Sequence, residues 1–377
     1  MRPLYLDYNS TTPLDRRVFD AMQPYFLEEV GNAGSRTHLY GQRAKEAVDR
    51  ARQQIATLLN VESNEIIFTS GATESNNIAL LGLMSHGVAT NRKHVLATAI
   101  EHKSVLEPLD RLKEAGFDVE LLPATAGGYV EPDVVRERVR PDTLVVAVMH
   151  ANNETGVMQP VAEIGDLLAG SDTLFIVDAA QTFGKEVESL KKVKYDLLSI
   201  SAHKIYGPKG IGALCARRKK GKRRLISPIS YGGGQEMGFR PGTLPVPLIV
   251  GLGEAASIAG VEYRTRNERA LSVKNGLLAA FREVKHTLNG ALEKTQCHVI
   301  NVCFPGVDSE ALMMFLRNDL AISNGAACTS ASYQPSHVLR AMGLPDDWIA
   351  SSVRISWGQG IDLIPPEPII MAVQSLQ

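Results

Sequence analysis

Six short apolar runs recur between residues 65 and 201, with stretches of helical periodicity between most of them. They cover 65–70, 94–99, 118–123, 143–150, 173–179 and 196–201. Strand-length runs alternating with helices predict an α/β fold: a mainly parallel sheet with helices on both faces. The rhythm breaks at about 247–288, which reads as helix almost throughout with no strand signal and is expected to link two domains. Beyond it, 298–304 and 351–357 are strand-like with helices between them, a smaller α+β unit. At 377 residues the chain is long for one core. The expected division is a large α/β domain over 15–260 and a small α+β domain from 1–14 and 261–377.

A formal net charge of −1 gives no overall pull toward nucleic acid or membrane, so neither membrane association nor direct nucleic-acid binding is expected. The start at Met1-Arg2-Pro3 lacks the apolar stretch of a signal peptide, and a cytoplasmic location is expected. Four cysteines (Cys215, Cys297, Cys303, Cys328) without CxxC or Cys/His ligand spacing argue against a disulfide framework and a zinc site. A single reactive thiol stays open.

The chemistry concentrates at strand ends. Run 196–201 leads into Ser201-Ala202-His203-Lys204 and a glycine-rich turn. Partial desolvation at a strand end lowers an amine's pKa, as a Schiff-base lysine requires. Run 173–179 contains Asp178, a carboxylate costly to bury without a cationic partner. A protonated pyridine nitrogen is such a partner, and strand-end Asp with strand-end Lys is the pairing that pyridoxal 5'-phosphate chemistry needs. A lysine in a turn is by itself most often a surface group, so further residues must carry the reading.

Those residues exist. The turn 69–77 follows a strand and opens a helix, which makes an anion site from free backbone N–H groups or, more simply, an N-cap by Ser70 or Thr73. His102 follows run 94–99 and can stack on a pyridine ring or merely cap a helix. Asn153 follows run 143–150, and Gln181 lies three residues beyond Asp178. Arg354 sits inside a strand-like run, where an anion must satisfy it: a substrate carboxylate, or an internal salt bridge. Cys328 lies in a run of small residues suited to a loop, whereas the other cysteines border apolar strand patterns. The basic run 217–224 reads as a solvated turn, with a docking role for an acidic partner or for nucleic acid as the alternative.

His203-Lys204-Ile205-Tyr206-Gly207-Pro208-Lys209-Gly210, with Gly232-Gly233-Gly234-Gln235-Glu236 and Arg240-Pro241-Gly242-Thr243, resembles the cysteine desulfurases of the NifS/IscS type in the class V aminotransferase family. The resemblance runs from Tyr5 to Arg354 and implies the pyridoxal-phosphate transferase fold type I, with conversion of L-cysteine to L-alanine. By resemblance, Lys204 carries the cofactor and His102 stacks on its ring. Asp178 and Gln181 hold the ring, while Ala72, Thr73, Ser201 and His203 hold the phosphate. Asn153 faces cofactor and substrate, Arg354 binds the substrate carboxylate, and Cys328 becomes a persulfide, with His102 the nearest candidate base for its thiol. Thr243 is implied to reach the neighbouring phosphate across a homodimer. An acceptor protein then receives sulfur for iron–sulfur clusters, tRNA thiolation or DNA phosphorothioation. Selenocysteine lyase and aminotransferase activities are the alternatives on the same scaffold. Ala33-Gly34 replaces the usual residues after Gly31-Asn32, and the chain ends soon after 366–376, which puts partner choice in doubt.

Overall fold

The computed structural model describes residues 2–218, 225–325 and 335–377. Cys328 and residues 219–224 of the basic run lie outside the described residues. A short strand, β1 (Leu4–Tyr5), precedes the sheet strands β2 (Ile66–Thr69), β3 (His94–Thr98), β4 (Asp118–Leu122), β5 (Thr143–Met149), β6 (Leu174–Asp178), β7 (Leu197–Ser201) and β8 (Gly212–Ala216). All six apolar runs are therefore strands. The sheet order is β2-β8-β7-β6-β5-β3-β4. β4, β3, β5, β6 and β7 pair in parallel, and β8 lies antiparallel between β7 and β2.

Each central strand buries both of its faces, which is why its sequence is a continuous apolar run. Leu96, Val146, Val148, Phe175, Val177, Leu198 and Ile200 enter one core cluster with the Leu39–Leu59 helix. Their neighbours Val95, Ala97, Val145, Ala147, Leu174, Ile176 and Leu197 enter another, with the Ala72–Leu81 and Lys103–Glu114 helices. Alternate residues point to opposite faces of a strand, so the sheet is the middle of three layers.

The helix Val246–Ala280 joins this body to the rest. Val246, Ile249, Leu252, Ala255 and Ala256 pack in the first cluster; Ala270, Val273 and Leu277 pack in a separate cluster with Leu6, Ile300, Val353 and Trp357. Among the described residues the stretch Val246–Glu283 is long and apolar enough to cross a membrane, but that apolarity is shared between two cores. The helical expectation for 247–288 ran too far. The helix ends at Ala280, and β9 (Thr287–Leu288) pairs antiparallel with β10 (Val299–Cys303). Two residues are too few to show a period-two pattern, so this strand left no signal. β10 also pairs with β12 (Ser352–Ser356), while β11 (Leu320–Ala321) pairs with β1.

Gly212 shows how tightly β8 is fitted. A Cβ there would meet the Ile200 carbonyl oxygen and lie 2.6 Å from Gly71 Cα, beneath the turn into the Ala72–Leu81 helix. Gly212→Ala must displace backbone, and we expect it to destabilise the protein by about 1–3 kcal/mol, the usual range for overpacking. Urea unfolding compared with wild type checks this; an unchanged midpoint would contradict it.

Candidate active site

The strand ends open on one cavity of about 490 Å³. Asp178 is the last residue of β6 and is buried between Met149 and Ser199 of the neighbouring strands. Its Oδ1 accepts the Ala180 N–H at 2.9 Å and its Oδ2 accepts Asn76 Nδ2 at 2.8 Å. An ionised carboxylate has about four lone-pair directions, so acceptor capacity remains for a ring N–H.

β7 ends at Ser201, and one 3₁₀ turn (Ala202–Lys204) carries the half-buried lysine into the same cavity. Lys204 Nζ donates to the carbonyl of Ser10 at 2.8 Å and to that of Asn9. His203 Nδ1 lies 3.1 Å from Thr11 Oγ1. Burial, reinforced by the Lys204 charge, pushes the His203 pKa down to about 4, so its ring is neutral near pH 7.

The Ala72–Leu81 helix begins at Gly71 without a side-chain cap. The caps allowed for at Ser70 or Thr73 do not form, and Thr69 Oγ1 lies 2.8 Å from Ser75 Oγ instead. The first N–H groups of the helix are left for an anion. Ser70, Ala72, Thr73, Ser201 and His203 all line the cavity.

His102 satisfies both of its readings. It caps the Lys103–Glu114 helix, with Nδ1 accepting the Ser104 N–H at 3.1 Å, and it lines the cavity. Burial lowers its pKa; Asp178 works against that shift, and Lys204 and His337 add to it.

Asn153, Gln181 and Arg354 complete the lining. Arg354 is 3% exposed. Its guanidinium is already paired within the protein, with Nη2 2.6 Å from Asp7 Oδ1 and 2.7 Å from Ser10 Oγ, and Nη1 2.9 Å from the Asn153 carbonyl. The salt-bridge reading thus holds alongside the cavity-lining one, and Nε remains without a partner.

Thr243 is exposed and does not line this cavity. The described residues on either side of 326–334 converge on Glu154, next to Asn153. Ser336 Oγ donates to Glu154 Oε2, and a Cβ on Gly325 would lie 3.0 Å from the same oxygen. Cys215 and Cys303 are buried and Cys297 is half-buried. Burial pushes the Cys297 and Cys303 thiols up to about 11, where they are poor nucleophiles at neutral pH.

Sequence reasoning missed the N-terminal turn. The Asn9 carbonyl accepts Gln181 Nε2 at 2.9 Å as well as Lys204 Nζ, and Asn9 Nδ2 donates to the Asn153 carbonyl at 3.2 Å. Nothing local marks this turn, because its partners lie far along the chain. Asn76 was also missed, although it stands four residues after Ala72 and so on the same helix face.

The donor set fits pyridoxal phosphate. With Arg354 paired to Asp7, Lys204 and Lys209 against Asp178 leave the cavity cationic. Gln181 Oε1, Asn9 Oδ1 and Arg354 Nε, all on residues lining the cavity, are buried without partners, as expected around a polar ligand.

Comparison with known proteins agrees. The family model described as aminotransferase class-V matches residues 4–360. Proteins named cysteine desulfurase IscS are similar: that of Vibrio cholerae serotype O1 is 47% identical over 95% of this chain and 88% of its own, and that of Anaeromyxobacter dehalogenans is 46% identical over the same shares. Among solved structures, DndA from Streptomyces lividans superposes with a TM-score of 0.82 at 47% identity, covering 93% of this chain and 98% of its own. A NifS-like protein superposes at 0.89 with 34% identity, covering 100% and 98%. SspA in complex with cysteine superposes at 0.82 with 35% identity, covering 94% and 98%. With its uncapped helix, strand-end lysine and strand-end aspartate on the pyridoxal-phosphate fold type I scaffold, the chain belongs to the class-V aminotransferase family.

Proposed function

We propose that the chain is a pyridoxal-phosphate-dependent cysteine desulfurase that takes sulfur from L-cysteine, releases L-alanine and holds the sulfur as a persulfide on Cys328. The observation that carries this reading is the meeting of Lys204, Asp178, His102, Arg354 and an uncapped helix N-terminus in one cavity. Relatives named cysteine desulfurase support it, and nothing favours the lyase or aminotransferase alternative.

In this reading Lys204 holds the aldehyde end of the cofactor, Asp178 the ring nitrogen, Gln181 the ring hydroxyl, and His102 the ring face. Ala72, Thr73, Ser201 and His203 hold the phosphate. When bound, the cofactor supplies an electron sink next to the substrate's Cα. The 15–260 domain carries that chemistry, while 1–14 and 261–377 contribute Asp7, Ser10, Arg354 and Cys328. Arg354 and Asn153 orient the substrate through its carboxylate. The Lys204 amine then removes the Cα proton. The Cys328 thiolate attacks the substrate sulfur: an S–S bond forms, the C–S bond breaks with its electron pair going to Cβ, which takes a proton, and Lys204 returns a proton to Cα to give alanine. Carbon is reduced as sulfur is oxidised, so no external oxidant or reductant enters. An acceptor protein takes the sulfur from Cys328. We place the enzyme in the cytoplasm as a homodimer, with Thr243 serving the partner's phosphate site. The exposure of Thr243 and of the large apolar residues Phe26, Leu27, Val30, Leu39 and Tyr231 supports the dimer.

Borohydride reduction of the loaded enzyme should fix a pyridoxyl mass on Lys204, and Lys204→Ala should abolish turnover because anchor and base leave together. A label on Lys185 or Lys209 would refute the assignment. Cys328→Ser should retain the cofactor yet release neither alanine nor sulfide above background. In wild type, brief exposure to cysteine should add one sulfur, mapped by peptide mass spectrometry to Cys328; added sulfur on Cys215, Cys297 or Cys303 would sink the persulfide step. Sedimentation at assay concentration should give a dimer, and an active monomer would remove Thr243 from the site.

A further inference from the structure

A hydrogen-bond chain unused by these assignments runs beneath the cavity from Asp178 to His102. Asn76, fully buried in the Ala72–Leu81 helix, donates from Nδ2 to Asp178 Oδ2 at 2.8 Å and to Ser104 Oγ at 2.9 Å. Ser104 Oγ lies 2.9 Å from His102 Nδ1. Elementary chemistry sets the direction of every link. An amide NH₂ only donates, and both of its hydrogens are used here. Ser104 Oγ therefore accepts from Asn76; because the Ser104 backbone N–H already makes His102 Nδ1 an acceptor, the hydroxyl proton is donated to that same nitrogen. The backbone N–H of Ser104 points at the same nitrogen from 3.1 Å. Flipping the amide would set its oxygen against the Asp178 carboxylate and take the Ser104 proton away from His102; as it stands, Asn76 Oδ1 has no partner.

We infer that Asn76 and Ser104 are positioning residues that keep the proton of neutral His102 on Nε2, so that the ring acts as a hydrogen-bond donor and not as a base. This deepens the proposed function, on which it rests for the role of the cavity. Nδ1 faces two donors and must present its lone pair to them. Protonating it would set an N–H against the Ser104 N–H. The charged and titratable groups acting on His102 are Asp178 and Glu107, which favour the cation, and Lys204 and His337, which oppose it; burial opposes it most. The donor chain works in the same direction as burial. It removes His102 as the base for the Cys328 thiol and gives it the donor's part.

The test is the titration of His102 in the cofactor-loaded enzyme, read as the pH dependence of hydrogen–deuterium exchange at its imidazole C2 by peptide mass spectrometry. Ser104→Ala removes one donor to Nδ1 and should raise the His102 pKa by about half a unit or more, the scale of one lost hydrogen bond. Ser104→Thr keeps the hydroxyl and should restore the wild-type value. Asn76→Ala frees the Ser104 hydroxyl to turn away and should shift His102 in the same direction. Because Asn76 also donates to Asp178, which itself acts on His102, the Ser104 Ala/Thr pair is the deciding comparison. An unchanged pKa in Ser104→Ala, or a Ser104→Thr that fails to restore the wild-type value, overturns the inference. The readout needs no turnover: these shifts in a protein without desulfurase activity would refute the proposed function and leave the hydrogen-bond chain standing.

Discussion

A sheet buried on both faces cannot keep charge in its interior, and most of the molecule's layout follows from that. The polar groups that the sheet contributes to the cavity are driven to its strand ends. Because β3, β5, β6 and β7 run the same way, their C-terminal ends share one edge, so His102, Asn153, Asp178 and Lys204 meet although the sequence spreads them over a hundred residues. β8 runs the other way and begins at that edge, with Gly212 registered against both Ser201 and Thr69. The uncapped turn after β2 is thereby brought beside the lysine-bearing turn after β7.

The same burial decides which acids around the site carry charge. Glu101 is fully buried next to His102, with Oε1 accepting from Thr98 Oγ1 and the Met149 N–H and Oε2 without a partner. Burial pushes its pKa up to about 8, and the nearby Asp178 charge adds to the shift, so it is largely protonated at neutral pH. Burial also raises Glu154, against the hydroxyl of Ser336 and the charges of His337 and Arg354. Asp7 is neutralised by Arg354. Asp178 faces the cavity, in position to pair with a protonated ring nitrogen in the proposed function. His203, neutral for the same reason, lines the cavity as a hydrogen-bonding group and not as a charge.

The sequence alone determined the layered α/β architecture, since a run buried on both faces and a helix buried on one leave different periodicities. It also determined which residues stand at strand ends, so the lysine, aspartate and histidine of the cavity were legible, as were the arginine inside its strand and the turn after β2, whose lack of a side-chain cap only the structure decided. Only the tertiary structure decided how these groups are paired. The Asp7–Arg354 bridge spans 347 positions and the Asn76–Asp178 bond 102, distances over which no local pattern persists. Hydrogen-bond direction is likewise invisible in one dimension. His102 could be read as cap or as catalyst, but which of its nitrogens holds the proton depends on Ser104 and Asn76 arriving from two helices at once, and only folding brings them there.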